Sequence, residues 1–129
     1  MIVADSSVWI AHLRDLATEP VLRLRNLGAQ VPLLVGDVIL LEVLQGARNP
    51  ADAMNIEREM RRFEVVAMLS PDLAVEAAAN DRLLRSRGVT PRKTVDLIIG
   101  TFCIEHGHTL LHDDRDFDPM RTHLGLQVL

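Results

Sequence analysis

With 129 residues, 48% of them hydrophobic and 25% charged, the chain has the length and composition of one globular domain, not of a disordered or fibrous segment. No apolar run approaches the roughly 20 residues a membrane helix needs, and the opening Met1-Ile2-Val3-Ala4-Asp5 has neither the basic stretch nor the long apolar run of a signal peptide. A net charge of −4 argues against a protein that coats nucleic acid indiscriminately, and a single cysteine, Cys103, excludes an internal disulfide and fits a reducing compartment.

Ile2 to Ala4 reads as a short buried strand, with Ser6 or Ser7 as N-cap of a helix through Val8, Trp9, Ile10 and Leu13. A second helix is expected from about Glu19 to Leu27, ended by Gly28. Val31 to Val35 suggests a strand, and a helix follows from about Asp37 to Ala47, with Gly46 near its end. Asn49-Pro50 marks a break. Ile56, Met60 and Phe63 then recur at helical spacing, with Glu57, Arg58, Glu59, Arg61 and Arg62 on the other face. Val65 to Leu69 is expected as a strand. Ser70-Pro71 opens a long helix that ends at Gly88, and Thr94 caps another that stops at Gly107. Thr109 to Leu111 and Leu126 to Leu129 supply the last strands. Short apolar strands alternating with helices predict an α/β fold with a mostly parallel sheet, as a single domain over residues 1–129.

Acids interrupt this apolar pattern. Asp5 ends Ile2-Val3-Ala4, Glu42 lies between Val38-Ile39-Leu40-Leu41 and Val43-Leu44, and Asp96 lies within Val95-Asp96-Leu97-Ile98-Ile99. Asp114 and Asp116 follow Thr109-Leu110-Leu111. A buried carboxylate without a partner is costly, and a shared cation is a good reason to keep several. Mg²⁺ takes oxygen ligands, often carboxylates plus substrate phosphates. Asp5 and Asp96 are the first choice as direct ligands. Glu42 is either a further ligand or the acceptor of a proton from water, and Asp114 completes the site or holds a second ion. The strand-end positions of Asp5 and Asp114 match the edge where open parallel sheets bind ligands. Arg85, Arg87, Arg92 and Lys93 flank the Asp96 helix and are candidate phosphate contacts; Arg58, Arg61 and Arg62 form a second basic cluster. The five histidines lack zinc-site spacing, and of these only His112 adjoins the acidic turn. Trp9 and Cys103 are expected in the core.

Four stretches together carry a resemblance: Val3-Ala4-Asp5-Ser6-Ser7-Val8-Trp9-Ile10, Leu41-Glu42-Val43-Leu44-Gln45-Gly46, Asp96-Leu97-Ile98-Ile99-Gly100 and Asp114-Arg115-Asp116-Phe117. In this order and over this length, the chain resembles the PIN-domain ribonucleases, and most closely the VapC toxins of bacterial toxin–antitoxin pairs. The resemblance implies a parallel sheet of four or five strands sandwiched by helices. It also implies Mg²⁺- or Mn²⁺-dependent endonuclease action on RNA, a cognate small antitoxin, a homodimer and a cytoplasmic location. Asp5, Glu42, Asp96 and Asp114 match its acidic quartet, Asp116 a position that is often acidic, and Ser6 or Ser7 a hydroxyl that supports the first aspartate. Many relatives place Thr before the final acidic turn, where this chain has His112-Asp113, so Asp113, Asp114 and Asp116 compete for one role. Two other readings are a Mg²⁺-dependent phosphatase or phosphotransferase with Asp5 as nucleophile, and a non-catalytic module whose acids hold an ion or a basic peptide. The first wants a placed lysine, and the only one, Lys93, is far from Asp5 in sequence.

Overall fold

The computed structural model describes all 129 residues. Five short strands, β1 (Ile2–Ala4), β2 (Leu33–Gly36), β3 (Glu64–Val66), β4 (Thr109–Leu111) and β5 (Gln127–Val128), form one sheet in the order β3-β2-β1-β4-β5. Every pairing is parallel, with Ala4 beside Leu111 and Val3 beside Leu34. This is the parallel α/β sheet that the alternating pattern predicts. The central strands are buried on both faces, so they read as continuous apolar runs.

Seven helices cover the sheet: α1 (Ser6–Leu13), α2 (Glu19–Leu27), α3 (Asp37–Gln45), α4 (Pro50–Met60), α5 (Pro71–Ser86), α6 (Thr94–His106) and α7 (Asp118–Leu124). From β1 the chain steps outward through β2 to β3, then returns across the sheet to β4 and β5. Right-handed crossovers put the helices of the first leg on one face and those of the second on the other. The packing agrees: α1 meets α2 and α3, α3 meets α4, and α5 meets α6 and α7. The direction of travel reverses between β1 and β4, and ligands of open parallel sheets bind above such a reversal.

The structure corrects several local expectations. The N-cap of α1 is Asp5, not Ser6 or Ser7. Lys93 precedes α6, and Thr94 is its first residue. β2 begins at Leu33 and β3 ends at Val66, both shorter than expected. A 3-10 turn (Arg115–Phe117) and α7 add to the expected elements, and Pro119 sits in the first turn of α7, a common helix-start signal. The apolar face of α4 is used within the chain: Met60 is fully buried, and Ile56 and Phe63 pack on the core. Trp9 and Cys103 are in the core, and burial raises the Cys103 thiol to about 12, an inert group.

The contact between α6 and α7 leaves no room for a side chain at Gly100. A methyl group there would run into Sδ of Met120 of α7, itself fully buried. Alanine gains about 1 kcal/mol of helix propensity, but overpacking costs about 1–3 kcal/mol. Gly100→Ala should lose net stability in urea melts, and adding Met120→Ala should recover part of the loss. A more stable Gly100→Ala would show that the two helices have room to spare.

Candidate active site

Four separate pieces of chain meet above the β1–β4 reversal. Asp5 leaves β1, and its N–H donates to the Leu111 carbonyl at 2.9 Å, extending the β1–β4 ladder by one residue. Its Oδ2 accepts from the Ser7 N–H at 3.1 Å and the Ser7 hydroxyl at 2.7 Å, so Asp5 caps α1. The Ser7 hydroxyl also accepts from the Asp113 N–H at 3.2 Å, tying the loop after β4 to α1. The Ser6 hydroxyl donates to Glu42 Oε1 at 2.9 Å, which orients the half-buried carboxylate from α3. The two serines therefore act on different acids.

From the opposite layer, Asp96 lies in the first turn of α6 and is 4% exposed. One oxygen from each of Asp96, Asp114 and Asp116 lies within 4.8 Å of the other two. The Asp114 carboxylate caps the 3-10 turn by accepting from the Asp116 N–H at 2.9 Å. Asp113 is exposed and lies outside this cluster. Of the three competing aspartates, the structure thus brings Asp114 and Asp116 together with Asp96 and leaves Asp113 apart.

Asp5 Oδ1 and Asp96 Oδ2 are buried and have no hydrogen-bond partner. Buried polar atoms are almost always paired, so two orphan carboxylate oxygens in one crevice need a reason. Burial first, and then the charges of Asp5, Asp114 and Glu42, push Asp96 up from the usual 3.8 to about 7, against the opposing pull of Lys93. A donor set made only of carboxylate oxygens suits a hard divalent cation; Asp96, Asp114 and Asp116 form the close group, and Asp5 and Glu42 stand outside it.

The sequence of the chain matches the PIN-domain family over residues 2–121. The chain belongs to the PIN-domain family. Among curated relatives, Ribonuclease VapC11 of Mycobacterium tuberculosis and VapC ribonuclease Mb1587 of Mycobacterium bovis are each 28% identical, covering 99% of this chain and 97% of their own length. Among solved structures, VapBC2 from Rickettsia felis bound to a promoter DNA fragment superposes with a TM-score of 0.80 at 15% identity, over 100% of this chain and 98% of that one. DNA-bound VapBC from Salmonella typhimurium gives 0.77 at 17% identity, over 99% and 96%.

In this PIN domain the basic candidates separate. Arg92 donates to Asp116 at 3.0 Å, and Lys93 lies 3.9 Å from Asp114, both on exposed side chains at the rim of the acids. Lys93, remote from Asp5 along the chain, is thus a neighbour of the site. Arg85 instead pairs with Asp81 one turn earlier on α5, and Arg87 closes that helix. Three of the remaining histidines lie elsewhere: His12 abuts Trp9, and His106 and His108 flank Phe102.

Proposed function

We propose that this chain is a divalent-metal-dependent endoribonuclease, and the toxin of a toxin–antitoxin pair. The observation that carries the reading is the close group of Asp96, Asp114 and Asp116 in a PIN domain, with one orphan buried oxygen on Asp96 and another on Asp5. Relatives named VapC ribonucleases and folds shared with VapBC complexes support it.

Asp5 Oδ1 and Asp96 Oδ2 would hold Mg²⁺ or Mn²⁺, with Asp114 and Asp116 contributing further oxygens. Bound there, such an ion lowers the pKa of a water, polarises phosphoryl oxygens and stabilises a leaving oxygen. The chain's own groups do the rest. Ser7 keeps Asp5 Oδ2 occupied, so Oδ1 is the oxygen left for the ion. Ser6 holds Glu42, the residue we assign to take a proton from the attacking water. The test is cleavage of single-stranded and structured RNAs by the purified chain, in EDTA and then with Mg²⁺ or Mn²⁺. Cleavage that returns only with an ion is expected. Full cleavage in a metal-free chelating buffer, or none with either ion, defeats the reading.

Arg92 and Lys93 would be exchanged between partners: they hold Asp116 and Asp114 while no ion is bound, and turn to RNA phosphates once one is. Neutralising both, as Arg92→Ala with Lys93→Ala, should therefore tighten Mn²⁺ binding several-fold. It should also weaken RNA binding and cut its salt slope by up to about two, since each phosphate contact contributes about one. Calorimetry and salt-dependent binding check the two signs. An unchanged slope assigns both residues to solvated surface, where we already place Arg85 and Arg87.

The antitoxin would occupy a groove of about 540 Å³ between α1, α3 and α4. Ile10, Leu13, Val43 and Ile56 give it an apolar floor, while Arg14, Arg48, Asp52 and Glu59 supply charges of both signs. That combination suits an amphipathic helix. Hydrogen exchange should slow along α1 and α4 when the antitoxin binds, and unchanged exchange there moves the contact elsewhere. We further propose one functional domain over residues 1–129, a homodimer that light scattering would detect, and a cytoplasmic location. No helix is long and apolar enough to cross a membrane.

A further inference from the structure

Between β4 and the 3-10 turn, residues His112 to Asp114 belong to no helix or strand, and Asp114 is one of the clustered acids. Three amides in this turn are captured by side chains. Asp113 N–H donates to the Ser7 hydroxyl at 3.2 Å, Asp116 N–H to Asp114 Oδ1 at 2.9 Å, and Asp114 N–H to His112 Nδ1 at 3.1 Å. The His112 ring is half-buried and tilted against fully buried Phe117, with centroids 5.0 Å apart. His112 is thus anchored on the core by one face and on the backbone of Asp114 by one nitrogen.

We propose that His112 is a positioning residue for the acidic centre: its Nδ1 holds the Asp114 amide and so sets the aim of the Asp114 and Asp116 carboxylates. The proposal rests on the reading of that cluster as a cation site. A ring nitrogen that accepts from an N–H carries no proton of its own, so the neutral ring keeps its proton on Nε2. Free of this bond, the Asp114 amide could turn to solvent and take its carboxylate with it. That carboxylate in turn holds the Asp116 amide, so a loss at His112 reaches both acids. Groups that orient ligands in this way typically change metal affinity or activity about 10–100-fold when removed.

Isosteres separate this role from simple packing. Asparagine places an acceptor oxygen where Nδ1 stands, whereas glutamine reaches only the position of Nε2. In a Mn²⁺ titration without RNA, followed by electron paramagnetic resonance, His112→Ala should bind about tenfold more weakly. His112→Asn should stay within about twofold of the native chain, and His112→Gln should follow alanine. Nitrogen NMR of the native chain should find the proton on Nε2 and a protected Asp114 amide. A native Mn²⁺ affinity in His112→Ala, an asparagine variant no better than alanine, or a proton on Nδ1 each overturns the proposal. The NMR result decides it even if a variant fails to fold. A native chain that binds Mn²⁺ in this pattern but cuts no RNA would defeat the ribonuclease reading alone.

Discussion

In a chelating buffer at pH 8, Asp96→Asn should melt above the native chain, and saturating Mg²⁺ should narrow that gap. Asp96 is 4% exposed, its Oδ2 has no partner, and it ionises only near pH 7 when folded. In the unfolded chain it ionises at its usual 3.8. Between those values the folded form holds a proton that the unfolded form has lost, so its contribution to stability falls as pH rises. Below about pH 4 both forms are protonated and the burial costs least; above about pH 7 the charge is carried into the crevice in full. Each pH unit in this window changes stability by up to about 1.4 kcal/mol.

The asparagine side chain never ionises, so the variant escapes that slope. The stability gap between variant and native chain should therefore widen from about pH 4 to about pH 7 and then level off, at roughly 2–4 kcal/mol. Urea melts across this range in EDTA measure it. The native chain should gain about 2.7 kcal/mol from an ion at a hundred times its Kd. The variant, with one ligand charge removed, should gain less. The same substitution should eliminate cleavage, a case of stability gained where function is lost. If Asp96→Asn melts below the native chain in chelator at pH 8, Asp96 is a hydrogen-bonding support and not a cation ligand.

Asp5 should separate two roles that one carboxylate performs. Its Oδ2 caps α1, and its Oδ1 is the orphan facing no protein donor. Asp5→Asn keeps an acceptor for the Ser7 N–H but loses the charge. Cleavage should fall at least about a hundredfold, the size expected when one element of a preorganised electrostatic site is lost. Its melting point in chelator should stay close to native. Asp5→Ala removes the cap as well and should cost a further 1–2 kcal/mol, roughly the value of an N-cap. Comparing the three chains by melting and by RNA cleavage tests both halves. Equal melting of Asp5→Asn and Asp5→Ala would remove the cap role; retained cleavage in either would remove the metal role.

Much of the site is legible in the sequence because burial of an acid is so unfavourable. Asp5, Glu42 and Asp96 stand out against apolar neighbours, and the strand–helix alternation already places Asp5 and Asp114 at strand ends. Gly28, Gly88 and Gly107 mark helix ends correctly, and Ser70-Pro71 marks a helix start. Elsewhere local signals compete. Three capping residues stand in a row at positions 5 to 7, and the winner is decided by where β1 stops pairing. Asp5 is held extended by its bond to Leu111, more than a hundred residues away, and so becomes the cap. The helix after Phe117 is announced in the sequence only by Pro119, a signal too weak on its own to separate a helix start from a turn.

Residue type and order by themselves determined the layered parallel sheet and the set of acids at its edge, because hydrophobic period and the cost of a buried charge act on any conformation. The tertiary structure decided what each acid does. Asp113, Asp114 and Asp116 are chemically alike, and only the turn built by Ser7 and His112 leaves one outside and brings two in. Likewise, Arg85 and Arg92 are equivalent in sequence, but Asp81 is within reach of one and Asp116 of the other. Which oxygens remain without a donor depends on contacts between β1, α3, α6 and the turn after β4. Those distances follow from how the chain closes on itself, and no local pattern of residues encodes them.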